Sequence, residues 1–221
     1  MQPAMNPPRP DTSAPPLRAS SFTPRAMIVL SRWRIEVGFV LGSIVLVTAN
    51  PTRTSIAAGL PVLLAGLGLR GWGRGHLTRR AHLTQSGPYA FVRHPLYVGS
   101  FLLGLSFAIM TGIVWLSLLF PLIFTAMYLP KALREEAFLR ERYGDEYAAY
   151  ADRVGRFFPH LRRVPPAFRG AQQFSWERVF GHREQLTWLG ALAALGLMWA
   201  VASGWIHQLA HYAAAHWPWV A

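Results

Sequence analysis

Apolar residues fall along the chain in long stretches that carry few or no charges, separated by short polar breaks. The first stretch covers about 35–49 and the second about 55–69, with the turn signal Asn50-Pro51-Thr52 between them. From Leu96 to Pro130 there is no charged residue at all. As one helix that run would be about 52 Å long, too long for a single crossing of a hydrocarbon core of about 30 Å. It is therefore predicted as two helices, about 96–110 and 113–130, hinged at Met110-Thr111-Gly112. A further stretch, 186–206, is long enough to cross, and Trp188 and Trp205 near its ends suit an aromatic belt. The pattern predicts an all-α integral membrane fold with five transmembrane helices.

The polar positions are organised too. Residues 1–25 are rich in proline, serine and alanine and are expected to be a disordered cytoplasmic tail, with 26–221 forming a single membrane domain. The tail lacks the apolar core of a signal peptide. A basic, glycine-punctuated stretch from Arg70 to His82 reads as a loop. Lys131 to Tyr150 reads as a polar helix, on which Leu139, Tyr143, Tyr147, Tyr150 and Val154 mark one face and Gly144 a break. Phe174-Ser175-Trp176-Glu177 begins a short interfacial helix.

Composition narrows the class. The chain is 52% apolar and only 14% charged, with a net charge of +12. Such a charge suits nucleic acid or an anionic membrane surface. No basic amphipathic helix or aromatic-and-basic module is visible, so membrane lipids are the expected partner and nucleic acid is not. Twenty-one of the 22 Lys and Arg fall in three segments that five crossings place on one side, leaving Arg53 on the other. By the positive-inside rule the N-terminus and both polar segments are cytoplasmic and the C-terminus is outside. The absence of cysteine excludes disulfides and thiolate chemistry, and arginine-heavy, lysine-poor usage is compatible with a bacterium of GC-rich genome, so the expected location is a bacterial inner membrane. His207 and His211 have metal-like spacing without a following carboxylate, and no metal site is expected.

The chemistry gathers at Ser86-Gly-Pro-Tyr-Ala-Phe-Val-Arg-His-Pro-Leu-Tyr-Val-Gly99. Pro95 suits the first turn of a helix and disfavours helical geometry at His94, which becomes the cap. The result is a helix N-terminus beside Arg93 and His94, a setting for an anion. The 96–130 hairpin brings this motif next to Lys131, Glu135 and Glu136. Cationic groups suit a carboxylate, and a glutamate suits an ammonium group or ribose hydroxyls. A nucleoside bearing an amino acid meets both demands.

These residues, with Glu135-Glu136-Ala-Phe-Leu139, Tyr143-Gly-Asp-Glu-Tyr147, Tyr150 and Arg156 before Pro159, resemble the isoprenylcysteine carboxyl methyltransferase family and its phospholipid methyltransferase relatives. The similarity covers roughly Leu60 to Pro159. It implies a membrane enzyme using S-adenosyl-L-methionine, with a cofactor pocket at the cytoplasmic helix ends. His94, Pro95, Leu96 and Tyr97 would line that pocket together with Gly99, and Glu135 would hold the cofactor. Lys131 stands where the eukaryotic enzymes place a substrate-binding arginine; it keeps the charge and loses the planar fork. Arg93 and Glu136 complete the set as candidate catalytic residues.

The reaction expected is in-line methyl transfer to a lipophilic small molecule or lipid. Carboxyl O-methylation is the first choice, since an ionised carboxylate needs no base and alignment with exclusion of water would suffice. Lipid N-methylation is the second, with Glu136 or His94 accepting a proton. The competing readings are an NADPH-dependent membrane reductase and a non-catalytic membrane scaffold.

Overall fold

The structure, a computed structural model, describes residues 49–78, 82–159, 173–181 and 183–205. Among these residues the regular elements are helices: α1 (Arg53–His76), α2 (Pro95–Met110), α3 (Val114–Arg153), α4 (Trp176–Gly181) and α5 (Glu184–Ala202). A 3-10 turn covers Gly87–Ala90 and one parallel bridge joins Val92 to Gly155. The predicted N-terminal tail, the span at 35–49 except Ala49, and the C-terminal histidines lie outside the described residues, while the last span, predicted over 186–206, forms a helix that begins at Glu184 and ends at Ala202.

α1 starts at a capping box, in which the Ser55 N–H donates to Thr52 Oγ1 at 3.0 Å and the Thr52 N–H donates to Ser55 Oγ at 2.9 Å. The Asn50 N–H donates to the Thr111 carbonyl at 3.0 Å, so the 50–52 turn and the 110–112 hinge are tied together at one end. Gly112 has φ +74°, and a Cβ there would meet the Asn50 carbonyl oxygen at 2.7 Å. The hinge sits where the sequence placed it.

α1 packs along α2 through Gly59, Gly66 and Gly73, seven residues apart. A Cβ on Gly66 would lie 3.0 Å from the Leu103 nitrogen and 3.1 Å from the Gly99 carbonyl oxygen. One on Gly99 would meet Arg70 Cγ at 2.5 Å and the Gly66 carbonyl oxygen at 3.1 Å. Two backbones in contact bring the polar ends of both helices to one place. Leu63, Met110 and Ala191 form the core that adds α5 to this pair.

α1 extends past the predicted end near Leu69 to His76, and this corrects the loop expected from Arg70. Arg70 and Arg74 are not solvated loop charges: both pair with Glu184, which is buried at the start of α5. Glycines at 71, 73 and 75 are not turn residues; they admit Trp188, Leu96 and Phe174 against the helix. Trp188 thus packs on α1 besides standing near a span end.

The fourth span and the polar helix, predicted separately, are one helix, α3. Its 40 residues reach about 60 Å, twice a hydrocarbon core. Residues 114–130 are apolar and outward-facing, with Val114, Trp115, Leu118 and Leu122 exposed. The part from Lys131 onward is polar and projects beyond. Gly144, with φ 49° and ψ −123°, kinks it where a break was expected. The predicted stripe packs as a core, with Tyr147, Tyr150 and Val154 buried on Leu83 and Leu139 and Tyr143 beside them. By length and composition α1, α3 and α5 suffice to cross a membrane, whereas α2 is shorter.

Gly66→Ala is expected to lower stability by about 1–3 kcal/mol, because the added methyl meets backbone that cannot step aside. Gly68 has nothing within 4 Å of a built Cβ, so Gly68→Ala should be neutral or gain up to about 1 kcal/mol. Thermal unfolding of the two variants in neutral detergent separates them.

Candidate functional site

The polar motif is held in place from three sides. The Arg93 N–H donates to the Gly155 carbonyl at 2.8 Å and the His94 N–H to the Arg156 carbonyl at 3.2 Å, so 92–94 lies along 155–156 as a short two-stranded ladder. The Tyr150 hydroxyl donates to the Tyr89 carbonyl at 2.7 Å. Gly87 has φ +59°, and its missing side chain leaves room for the His76 ring. His94 caps α2 as Pro95 demands.

Beneath the motif, Glu136 gathers the charges. Arg156 donates to both its oxygens, Nε at 2.7 Å and Nη2 at 2.8 Å, in a bidentate fork. His94 Nε2 lies 3.1 Å from Oε1 and Arg93 Nη2 3.6 Å from the same atom. Burial alone would raise the Glu136 pKa; the Arg156 hydrogen bonds, the Arg93 charge and the His94 bond outweigh it and hold the carboxyl below the ordinary carboxylate range. Burial is the largest influence on His94 and pushes its pKa below the ordinary histidine value, against the pull of Glu136 and Glu135. A neutral imidazole donating from Nε2 to Glu136 leaves Nδ1 as an acceptor.

Glu135, one residue earlier, has the opposite setting. It is half exposed and accepts a hydrogen bond from the Tyr97 hydroxyl at 2.8 Å. The His94 ring stacks on Tyr97 at 5.3 Å, Tyr128 meets Tyr97 edge-on at 5.6 Å, and Lys131 Nζ stands 5.1 Å over the Tyr97 ring. These groups line a cleft of about 810 Å³, within the range of small-molecule sites. Among the described residues, six cationic side chains border it, Arg70, Arg74, Arg93, Lys131, Arg134 and Arg142, against the single carboxylate Glu135.

Of the predicted residues, Arg93, His94, Pro95, Leu96, Tyr97, Lys131 and Glu135 come together on the cleft wall. Gly99 does not. Its place, one turn into α2, is the crossing with α1, where it admits the Gly66 carbonyl and the Arg70 stem. Glu136 also stands behind the wall, its oxygens committed to Arg156 and His94, which makes it a buttress of His94 rather than a group open to a ligand. Sequence reasoning missed Arg156 as the fork on Glu136, Tyr128 as a wall of the cleft, and the pair Arg70 and Arg74. The last had a signal: two arginines one turn apart at the end of an apolar helix, with Glu184 opening another.

Below pH of about 6.5 the unfolded chain protonates His94 more readily than the fold does. Its contribution to stability is therefore present above that pH and lost as pH falls. Glu136, with its depressed pKa, adds a second loss below about 4.5. The melting temperature in detergent should fall between pH 7.5 and 5.5, and His94→Gln should flatten that limb; a constant or rising value for the unaltered chain would contradict the buried neutral histidine.

Residues 37–146 match the phospholipid methyltransferase family model. The chain is 35% identical over 162 residues to the nickel-cobalt-cadmium resistance protein NccN of Alcaligenes xylosoxydans xylosoxydans, covering 69% of this chain and 73% of the relative. It is 35% identical over 141 residues to the cobalt-zinc-cadmium resistance protein CzcN of Cupriavidus metallidurans, covering 58% of this chain and 62% of that one. A shorter similarity, 36% over 77 residues, relates it to the protein-S-isoprenylcysteine O-methyltransferase of Schizosaccharomyces pombe, over 35% of this chain and 33% of the enzyme. No solved structure matches the chain. With helices of membrane-crossing length and composition and this set of relatives, the chain is an integral membrane protein and belongs to the phospholipid methyltransferase family.

Proposed function

We propose that the chain is an S-adenosylmethionine-dependent methyltransferase acting on a lipophilic substrate. The observation that carries this reading is the cleft itself, where one half-exposed carboxylate, Glu135, stands among cationic and aromatic side chains. A zwitterionic nucleoside needs that combination. Glu135, oriented by the Tyr97 hydroxyl, suits an ammonium group or ribose hydroxyls. Lys131 and Arg134 beside it suit a carboxylate. The faces of Tyr97 and Tyr128 suit a cationic centre or a flat base. When bound, the cofactor supplies an electrophilic methyl group on a sulfonium.

The protein's own part is positioning. Glu136 and Arg156 fix His94, His94 stacks on Tyr97, and Tyr97 fixes Glu135, so the cleft wall is pre-organised. An ionised carboxylate needs no base, and carboxyl O-methylation follows as the first expectation. For an amine, Nδ1 of a neutral His94 would be the proton acceptor, since the Glu136 oxygens are engaged by Arg156 and His94. NADPH, whose extra phosphate would also suit a cationic cleft, is the comparison ligand; family membership favours the methyl donor. The names of the two resistance relatives suggest a setting, in which methylation of a membrane component serves a cell exposed to nickel, cobalt or cadmium.

Calorimetry on the full chain in neutral detergent tests the reading. S-adenosylmethionine should bind and NADPH should not. Glu135→Ala and His94→Ala should each weaken binding about tenfold or more, the loss of one hydrogen bond to a charged group, while Tyr143→Phe leaves it unchanged. No heat with S-adenosylmethionine from folded protein, or binding of NADPH alone, would refute it.

A further inference from the structure

Bordering the same cleft, a second charged cluster is built from the first and last described helices. Glu184, 1% exposed, takes Arg70 Nε at 2.7 Å and Nη2 at 3.0 Å. Arg70 Nη1 also reaches Ser100 Oγ at 2.5 Å, and its Nη2 lies 3.4 Å from Thr187 Oγ1, so this guanidinium is fully engaged. Arg74, one turn on, uses only Nε, 3.2 Å from Glu184 Oε2. Its two terminal nitrogens meet no described acceptor, the side chain is 26% exposed, and it lines the cleft.

Two arginines therefore share one carboxylate, leaving a net positive charge in a partly buried site where α1 leaves the apolar region. An unbalanced charge in such surroundings is costly unless something pairs with it. Nothing among the described residues does. Glu184 also fixes the side chain by its Nε, which leaves the planar edge of the guanidinium presented for a two-point contact. That edge matches the oxygens of a carboxylate or a phosphate. Tyr89, which also lines the cleft, senses both Arg74 and Glu135, and burial raises its pKa, so its hydroxyl stays protonated and able to donate.

We infer that Arg74, positioned by Glu184, binds an oxyanion on the lipophilic methyl acceptor where α1 borders the cleft. This rests on the methyltransferase reading for the word acceptor; the anion site itself stands on the Arg70–Glu184–Arg74 geometry. The acceptor class is an amphiphile whose head carries a carboxylate or a phosphate, with or without an amine beside it.

The test uses the full chain in dodecyl maltoside, with palmitate, dodecyl phosphate and dodecyltrimethylammonium as probes and tryptophan fluorescence as the readout, alongside S-adenosylmethionine calorimetry. At least one of the two anions should saturate the unaltered protein and the cation should not; which anion binds tells carboxylate from phosphate. Arg74→Gln should weaken the anion at least tenfold and leave S-adenosylmethionine affinity within twofold. Arg74→Lys, which keeps the charge and serves if the glutamine variant does not fold, should fall between. Anion binding equal in all three proteins overturns the inference, as does failure of both anions to bind, or a loss in Arg74→Gln confined to S-adenosylmethionine. Arg74-dependent anion binding without S-adenosylmethionine binding would support the anion site while refuting the methyltransferase reading.

Discussion

A buried carboxylate must be paired, and Glu136 meets that demand by drawing Arg156, His94 and Arg93 to one point. The three partners come from two segments, 93–94 and 156, and the glutamate from the helix between them. The interaction therefore sets where the motif lies on α3, and with it the direction in which His94, Tyr97 and Glu135 face. Removing the carboxylate would leave three cationic or hydrogen-bonding groups in one small volume, which is why the site depends on a residue that does not itself line the cleft.

The charge arrangement divides the cleft in two. On the α3 side, Lys131 and Arg134 flank Glu135, a mixed environment suited to a zwitterion. On the α1 side, Arg70 and Arg74 share Glu184, an environment that is cationic on balance. The close α1–α2 crossing at Gly66 and Gly99 brings Arg70 beside α2 with no side chain between the backbones, and so sets where the α1 charges stand against the start of α2. Packing glycines in the apolar region thus govern the spacing of charges at its border.

Much of this was legible in the sequence for physical reasons that can be named. A charge-free run too long for one crossing required a hinge, and Gly112 with positive φ supplies it. His94-Pro95 required a helix start, and the four-residue spacing of Tyr143 and Tyr147 required a packed face. The residues that escaped are those whose partners are distant in the chain. Arg70 and Arg74 look like loop charges until Glu184, more than 100 residues later, is brought to them. Gly99 looks like part of a ligand motif until Gly66 is placed against it. Glu135 and Glu136 are neighbours in sequence with opposite environments, and only the position of Arg156 tells them apart.

The central claim is methyl transfer to a lipophilic acceptor from the cleft bordered by α1, α2 and α3. Its most direct test is incubation of the purified full chain with methyl-labelled S-adenosylmethionine and a total lipid extract, followed by separation of organic-soluble products. Label should appear in an organic-soluble species with the unaltered protein and fall at least tenfold with Glu135→Ala. Folded protein that leaves all label in the aqueous phase, or equal labelling by the variant, would contradict it.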